Sequence, residues 1–257
     1  MNKLQIALVL GGAALIILLF QLPRVVVENE TLVGPKEETH SFTMPQEVKT
    51  RISQLRTNWS SEEIIEKKLN FADSLATLYL DYQVLDSGVW FVDYIKSTNS
   101  EGRELRIADL LYRAFQRTAD PEEAREIGAR AGQELKSLLE LYPQSSSLKN
   151  RLAMTLVATE NPMQGIQMLR SILEENPEDI ETMMNLGILS IQSGQFDKAE
   201  ERFKDLLAID STNEEARFYL GMSQIEQGNE EGKLIMQQLS NSANPAIKAL
   251  AIEYLEN

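Results

Sequence analysis

The sequence of 257 residues contains no cysteine and a single histidine, His40. The absence of cysteine excludes disulfides, zinc–thiolate sites, iron–sulfur clusters and cysteine nucleophiles. His40 lies between Pro35 and Pro45, and we interpret it as a solvated linker residue rather than a metal ligand or catalytic base. We therefore expect neither a bound metal nor any other cofactor.

Positive charge is also scarce, because 25 Lys and Arg stand against 39 Asp and Glu, giving a net charge of −14. An acidic field repels the phosphates of DNA and RNA, so we expect no nucleic-acid partner. Hydrophobic residues make up 43% of the chain and charged residues 25%, as in ordinary folded proteins.

Enzymatic motifs are missing as well. The nearest approach to a phosphate-binding loop is Gly228 to Leu234, which has three residues between its glycines instead of four and no Ser or Thr after Lys233. Pairs of glutamates at 62/63, 122/123, 214/215 and 230/231 fall in predicted first helical turns, where the helix dipole stabilises them. The sequence therefore predicts that the protein is not an enzyme.

One long hydrophobic run is present, and it covers residues 4–22 without a charge. A helix of that length rises about 28 Å, close to the roughly 30 Å hydrocarbon core of a bilayer. We predict a transmembrane anchor over residues 1–23. A cleaved signal peptide is the alternative, but the bulky residues from Gln21 to Val27 lack the small-residue cleavage pattern.

The orientation of this anchor depends on its short N-terminal tail. Lys3 is the only basic side chain before the span, and the basic residues after it are mixed with glutamates, so positive charge decides little. A three-residue tail usually stays in the cytoplasm. We therefore predict a single-pass protein of a bacterial inner (cell) membrane with a periplasmic domain, joined by a linker over residues 24–43.

Helix signals recur from residue 44 onward, without strand-like alternation. Pro45 can begin a helix that extends to about Arg56, and Ser60 with Glu63 matches a capping box. Asp120 before Pro121 and two glutamates predicts another helix start. The chain is therefore predicted to be all-α, with divergent helices over 44–145 and a more regular array over 146–257.

The regular array has a period of 34 residues. Three sets of positions share it: Leu152, Leu186 and Leu220; Ala153, Gly187 and Gly221; Gly194 and Gly228. Self-similarity at this period is typical of stacked helical hairpins.

Residues 180–213 resemble a tetratricopeptide repeat, whose pattern is W-x2-L-G-x2-Y, a glycine turn, A-x3-F and a terminal proline. The matching residues are Leu186, Gly187, Gly194, Ala199 and Phe203, and the departures are Met183, Ser190 and Ser211. Neighbouring units match less well: Glu160 replaces the turn glycine in one, Lys233 and Gln237 replace the second half of another, and Leu75, Ala76, Tyr79, Ala131 and Leu135 carry fragments upstream. The resemblance implies a right-handed α-solenoid of about five hairpins over residues 61–243, capped by a helix over 245–256.

In this family the first helices of the hairpins line a groove that binds peptides or proteins. The resemblance implies that the groove residues are Asn150, Met154, Met184, Asn185, Ile188, Phe218, Met222 and Ile225. We expect a membrane-tethered scaffold or assembly adaptor with a protein or peptide partner. Two alternatives stay open: the apolar stripe is core, or the protein associates with itself as a structural element of an envelope complex.

Overall fold

The computed structural model describes residues 44–98, 101–159 and 161–256, and within these ranges it contains helices and no strands. In chain order the helices are α1 (Gln46–Ser61), α2 (Ile65–Asp81), α3 (Leu85–Ser97), α4 (Glu104–Arg117), α5 (Pro121–Leu141), α6 (Ser146–Ala158), α7 (Pro162–Glu175), α8 (Ile180–Gln192), α9 (Phe196–Ile209), α10 (Glu214–Glu226), α11 (Glu231–Leu239) and α12 (Pro245–Glu256). The all-α prediction is confirmed for this part of the chain.

The predicted N-terminal anchor over residues 4–22 and the linker over 24–43 lie outside the described residues. Among the helices that are described, none has the length and apolar character needed to cross a bilayer.

Five hairpins follow α1, and they pair α2 with α3, α4 with α5, α6 with α7, α8 with α9, and α10 with α11. The first helix of each hairpin also contacts the first helix of the next, and α10 contacts α12 in the same way. Successive second helices make no such contact within the described ranges. The first helices therefore form the inner layer of the stack, and α12 ends it over the predicted residues.

Helix starts follow the expected chemistry at several junctions. The carboxylate of Asp120 accepts hydrogen bonds from the backbone N–H groups of Glu122 and Glu123 at 2.8 and 2.9 Å, which confirms the predicted cap of α5. The capping box at Ser60 is wrong, because α1 continues through that residue. Glu62 instead accepts from the backbone N–H of Ile64, just before α2.

A small residue followed four positions later by a buried large one recurs in all five second helices. The pairs are Gly88 and Val92, Ala131 and Leu135, Gly165 and Leu169, Ala199 and Phe203, and Gly232 and Met236. A Cβ on Gly165 would lie 2.4 Å from the carbonyl oxygen of Ala153, so only glycine permits this approach between α6 and α7. The small residue sets how closely the two helices of a hairpin pack.

The last of these pairs corrects the expected alignment at Lys233 and Gln237. Both side chains are exposed, and Gly232 and Met236 take the inward positions instead. Gly194 and Gly228 both adopt positive φ, at 70° and 77°, so the turn itself is shared. The connection after Gly228 is one residue shorter, which shifts the motif by one.

The first hairpin and α1 share a core rich in aromatic rings. Phe91 is fully buried, and its ring centroid lies 5.4 Å from that of Trp59, 4.9 Å from Trp90 and 5.9 Å from Tyr79. Such edge-to-face and stacked contacts add to the burial of apolar area. This aromatic cluster closes the N-terminal end of the stack.

Candidate partner-binding face

Six of the eight expected groove residues lie half-buried on the first helices of the last three hairpins. They are Met154 on α6, Met184, Asn185 and Ile188 on α8, and Met222 and Ile225 on α10, and we call them the methionine face. The apolar members pack against buried clusters while keeping part of their surface accessible. Methionine adapts to irregular shapes, which suits a surface that accepts another chain.

Asn150 does not belong to this face, because its side chain is fully buried. Its amide nitrogen lies 2.8 Å from Oγ1 of Thr182 and 3.4 Å from Oδ1 of Asp179, and Asn185 donates to its carbonyl at 3.3 Å. These bonds join α6 to α8 and satisfy a polar group that burial would otherwise penalise. The expectation of a groove role is corrected to a structural one.

Phe218 is also covered, with 5% of its surface exposed. It packs with Met236, Ile247 and Ala251, and its ring centroid lies 6.1 Å from that of Tyr254. The helix that ends the stack, α12, lies over this position and takes the place that a following hairpin would occupy. The interpretation of this residue as core is therefore the correct one.

The inner layer has a different character further upstream. Arg106 on α4 donates from Nε and Nη2 to both carboxylate oxygens of Asp73 on α2, at 2.6 and 3.0 Å. It also reaches Asp109 at 3.1 Å, and Asp109 accepts from Arg151 on α6 at 2.9 Å. We call Asp73, Arg106, Asp109 and Arg151 the ion ladder, and it ties the first helices of three hairpins together.

The ladder ends beside an aromatic ring and an acid. The guanidinium carbon of Arg151 lies 5.4 Å from the ring centroid of Tyr112. Burial, with a smaller contribution from the charge of Glu181, raises the pKa of Tyr112 to about 12, and Arg151 opposes the shift. Desolvation raises the pKa of Glu181 although more than a third of its surface is exposed, and Arg151 again opposes it.

An acidic rim borders the methionine face, and it was not among the expected groove residues. Glu181 and Glu215 lie one repeat apart in the first turns of α8 and α10, and both are exposed. Tyr219 lies beside them, half-buried and stacked on Phe203 with 5.6 Å between ring centroids. The spacing of 34 residues would have identified this rim, had the acids not been assigned to helix starts alone.

Known proteins share part of this pattern. Residues 162–215 match the tetratricopeptide repeat family. This segment runs from α7 to the start of α10 and includes the whole of the fourth hairpin, where the motif residues are most complete. The tetratricopeptide interpretation is supported there. No match was found among curated protein sequences.

Solved structures resemble the chain more loosely. YrrB, described as a tetratricopeptide protein with an unusual peptide-binding site, is 17% identical with a TM-score of 0.44, covering 76% of this chain and 99% of its own. Acl4, an assembly chaperone of RpL4, is 16% identical with a TM-score of 0.42, covering 83% and 96%. MamA from AMB-1 is 16% identical with a TM-score of 0.39, covering 71% and 98%. Similarities at this level do not identify a partner.

Metal binding finds no support in the described ranges, where no three His, Asp or Glu side chains are grouped as a metal site would require. The geometry of the inner layer instead suits contact with another polypeptide.

Proposed function

We propose that this protein is a membrane-tethered scaffold that binds a protein or peptide partner on the methionine face and catalyses no reaction of its own. The observation that carries the proposal is the row of accessible apolar side chains at equivalent positions of α6, α8 and α10, represented by Met154, Ile188 and Met222. A partner with apolar anchors at matching intervals would bury this row.

The acidic rim narrows the chemistry of the partner. Glu181 and Glu215 are exposed at the same end of neighbouring first helices, in a chain with a net charge of −14. A partner segment with Lys or Arg beside its apolar anchors complements this arrangement. Binding should therefore weaken as salt concentration rises, since rim charges are screened.

Charge insertion on the face tests the proposal. Full-length protein is purified from detergent-solubilised native membranes as wild type, Ile188→Asp and Met222→Asp, with Ser171→Asp on the exposed side of α7 as the matched control. A buried aspartate in the contact should reduce recovery of co-purifying partner by about tenfold or more. Equal recovery in all four proteins, with unchanged helical circular dichroism, would reject the face.

The tether is proposed from the uncharged run at residues 4–22. We place it in the inner membrane with the helical stack on the periplasmic side. Carbonate extraction should leave the chain in the membrane fraction, and protease added to spheroplasts should digest the stack. Release by carbonate would remove the tether from the proposal, and protection in spheroplasts with digestion after lysis would reverse its orientation.

Self-association is a second candidate, favoured by the last helix. Leu250, Ile252 and Leu255 on α12 are 45%, 37% and 39% exposed, although the end of a repeat stack usually presents polar residues. A second copy could cover them. Analytical ultracentrifugation of the detergent-solubilised full-length chain decides this: a dimer that Leu255→Lys converts to monomer supports self-association, and a monomer at every concentration excludes it.

A further inference from the structure

A cavity of about 180 Å³ lies on the side of the stack away from the methionine face, between α7, the end of α8 and the start of α9. Its wall carries three cationic side chains, Arg170, Lys198 and Arg202. Such a concentration of positive charge is unexpected in a chain whose net charge is −14.

None of these three cations has a carboxylate within 4.0 Å in the described part of the chain. Arg202 donates from Nη1 to the hydroxyl of Ser190 at 2.6 Å, and Lys198 donates to the side-chain oxygen of Gln195 at 2.7 Å. Arg170 makes no hydrogen bond to any described residue. The positive charges are therefore held in place by neutral groups or left open to the cavity.

The two guanidiniums also act against each other. Burial and then the charge of Arg170 lower the pKa of Arg202, and only the neighbouring Glu201 opposes the shift. Keeping like charges together in a partly desolvated place is unfavourable unless a counter-charge enters. An anion in the cavity would remove this repulsion.

The next repeat shows the same place with its charge neutralised. Lys204 stands 34 residues after Arg170, and it pairs with Glu200 at 2.7 Å. Glu200 also accepts hydrogen bonds from Gln224 at 3.1 Å and Gln227 at 2.8 Å. The residue equivalent to Glu200 in the cavity is Ile166, which carries no charge. The carboxylate that closes one site is thus missing from the other.

A departure from the repeat pattern opens the cavity. Ser190 stands where the tetratricopeptide pattern has a tyrosine, and its side chain is too small to fill the space beside Arg202. Its hydroxyl instead fixes that guanidinium. The substitution that weakened the family resemblance therefore creates the cavity and orients its donor.

We propose that this cavity binds a phosphate group, either as free phosphate or on a phosphorylated peptide. Arg170, Lys198 and Arg202 line it together and offer more positive charge and more donors than a planar carboxylate can use, whereas a tetrahedral dianion can accept from all three. The apolar side chains of Ile166 and Leu186 form part of the wall, which strengthens the attraction by lowering the local dielectric.

Calorimetric titration of the full-length chain in detergent with inorganic phosphate at low ionic strength tests the site. One phosphate should bind per chain, and Arg170→Gln and Arg202→Gln should each weaken binding by about tenfold or more. Lys204→Gln is the matched control, because it removes the same charge at the equivalent position of the next repeat, and it should change affinity by less than about twofold.

Ser190→Tyr separates occupancy of the cavity from charge alone. The ring restores the repeat pattern and fills the space, so phosphate binding should be lost while the thermal melting temperature is kept or raised. A phosphoserine peptide that binds more tightly than inorganic phosphate assigns a peptide-borne group, and weaker binding assigns free phosphate; both support the site. The proposal is overturned if phosphate does not saturate, if Lys204→Gln weakens binding equally, or if acetate binds as well as phosphate.

Discussion

The first two hairpins and the last three build the same helical arrangement with different side chains. The first region packs rings around Phe91 and joins its first helices through the ion ladder. The last region packs helices closely at Gly165 and Gly232 and presents methionine and isoleucine on the inner layer. Where ion pairs saturate the inner layer, little remains for a partner; where apolar side chains cover it, a partner can add burial.

The largest expected effect is loss of the aromatic cluster. Phe91→Ala should lower the free energy of unfolding by about 5 kcal/mol, and Phe203→Ala, which has one stacked ring neighbour, by about 3 kcal/mol. Both tryptophans, Trp59 and Trp90, lie in the first region, so their fluorescence reports that region, while circular dichroism reports both. If the two variants lose equal stability, the two regions do not differ as described.

A smaller loss is expected from Gly165→Ala. The added Cβ would meet the carbonyl oxygen of Ala153, and backbone yields less readily than a side chain, so we expect a loss of about 2–3 kcal/mol. Ser171→Ala on the exposed side of the same helix is the control and should change stability by less than about 0.5 kcal/mol. Chemical denaturation followed by circular dichroism measures both, and an unchanged midpoint for Gly165→Ala would contradict the close packing.

The ion ladder should contribute about 1 kcal/mol of coupling between Asp73 and Arg106, because the pair is bidentate but partly exposed, with Arg106 at 36%. A double-mutant cycle with Asp73→Asn and Arg106→Gln measures it. The coupling should decrease in high salt. Coupling that is absent at low salt would show that the ladder does not stabilise the first region.

The smallest effect concerns Tyr112. Its pKa is raised from 10.0 to about 12, chiefly by burial, so the folded state holds the phenolic proton more tightly than the unfolded state. The resulting stability is present below pH 10 and is lost as the pH rises toward 12. Tyr112→Phe should remove one late step from the ultraviolet titration of tyrosinate and flatten this alkaline loss. A titration identical to that of wild type would contradict the burial.

Sequence reasoning located the hairpins better than their side-chain roles. The last helix begins at Pro245 as predicted, and Asp120 caps α5, because proline and capping residues act locally. Gly88 and Gly165 were missed because either glycine or alanine satisfies the close approach, so the position does not keep one letter. Asn150 was misplaced because its burial depends on Thr182, which lies one hairpin away.

The central claim is that partners contact the last region of the inner layer and not the first. A photocrosslinking amino acid is placed in the full-length chain at Asn185 or at Ser74, which occupy equivalent positions of α8 and α2 and are both half-buried. Irradiation in intact cells should produce a discrete higher-mass adduct from position 185 and none from position 74. Equal adducts from both positions, or an adduct from position 74 alone, would contradict the account.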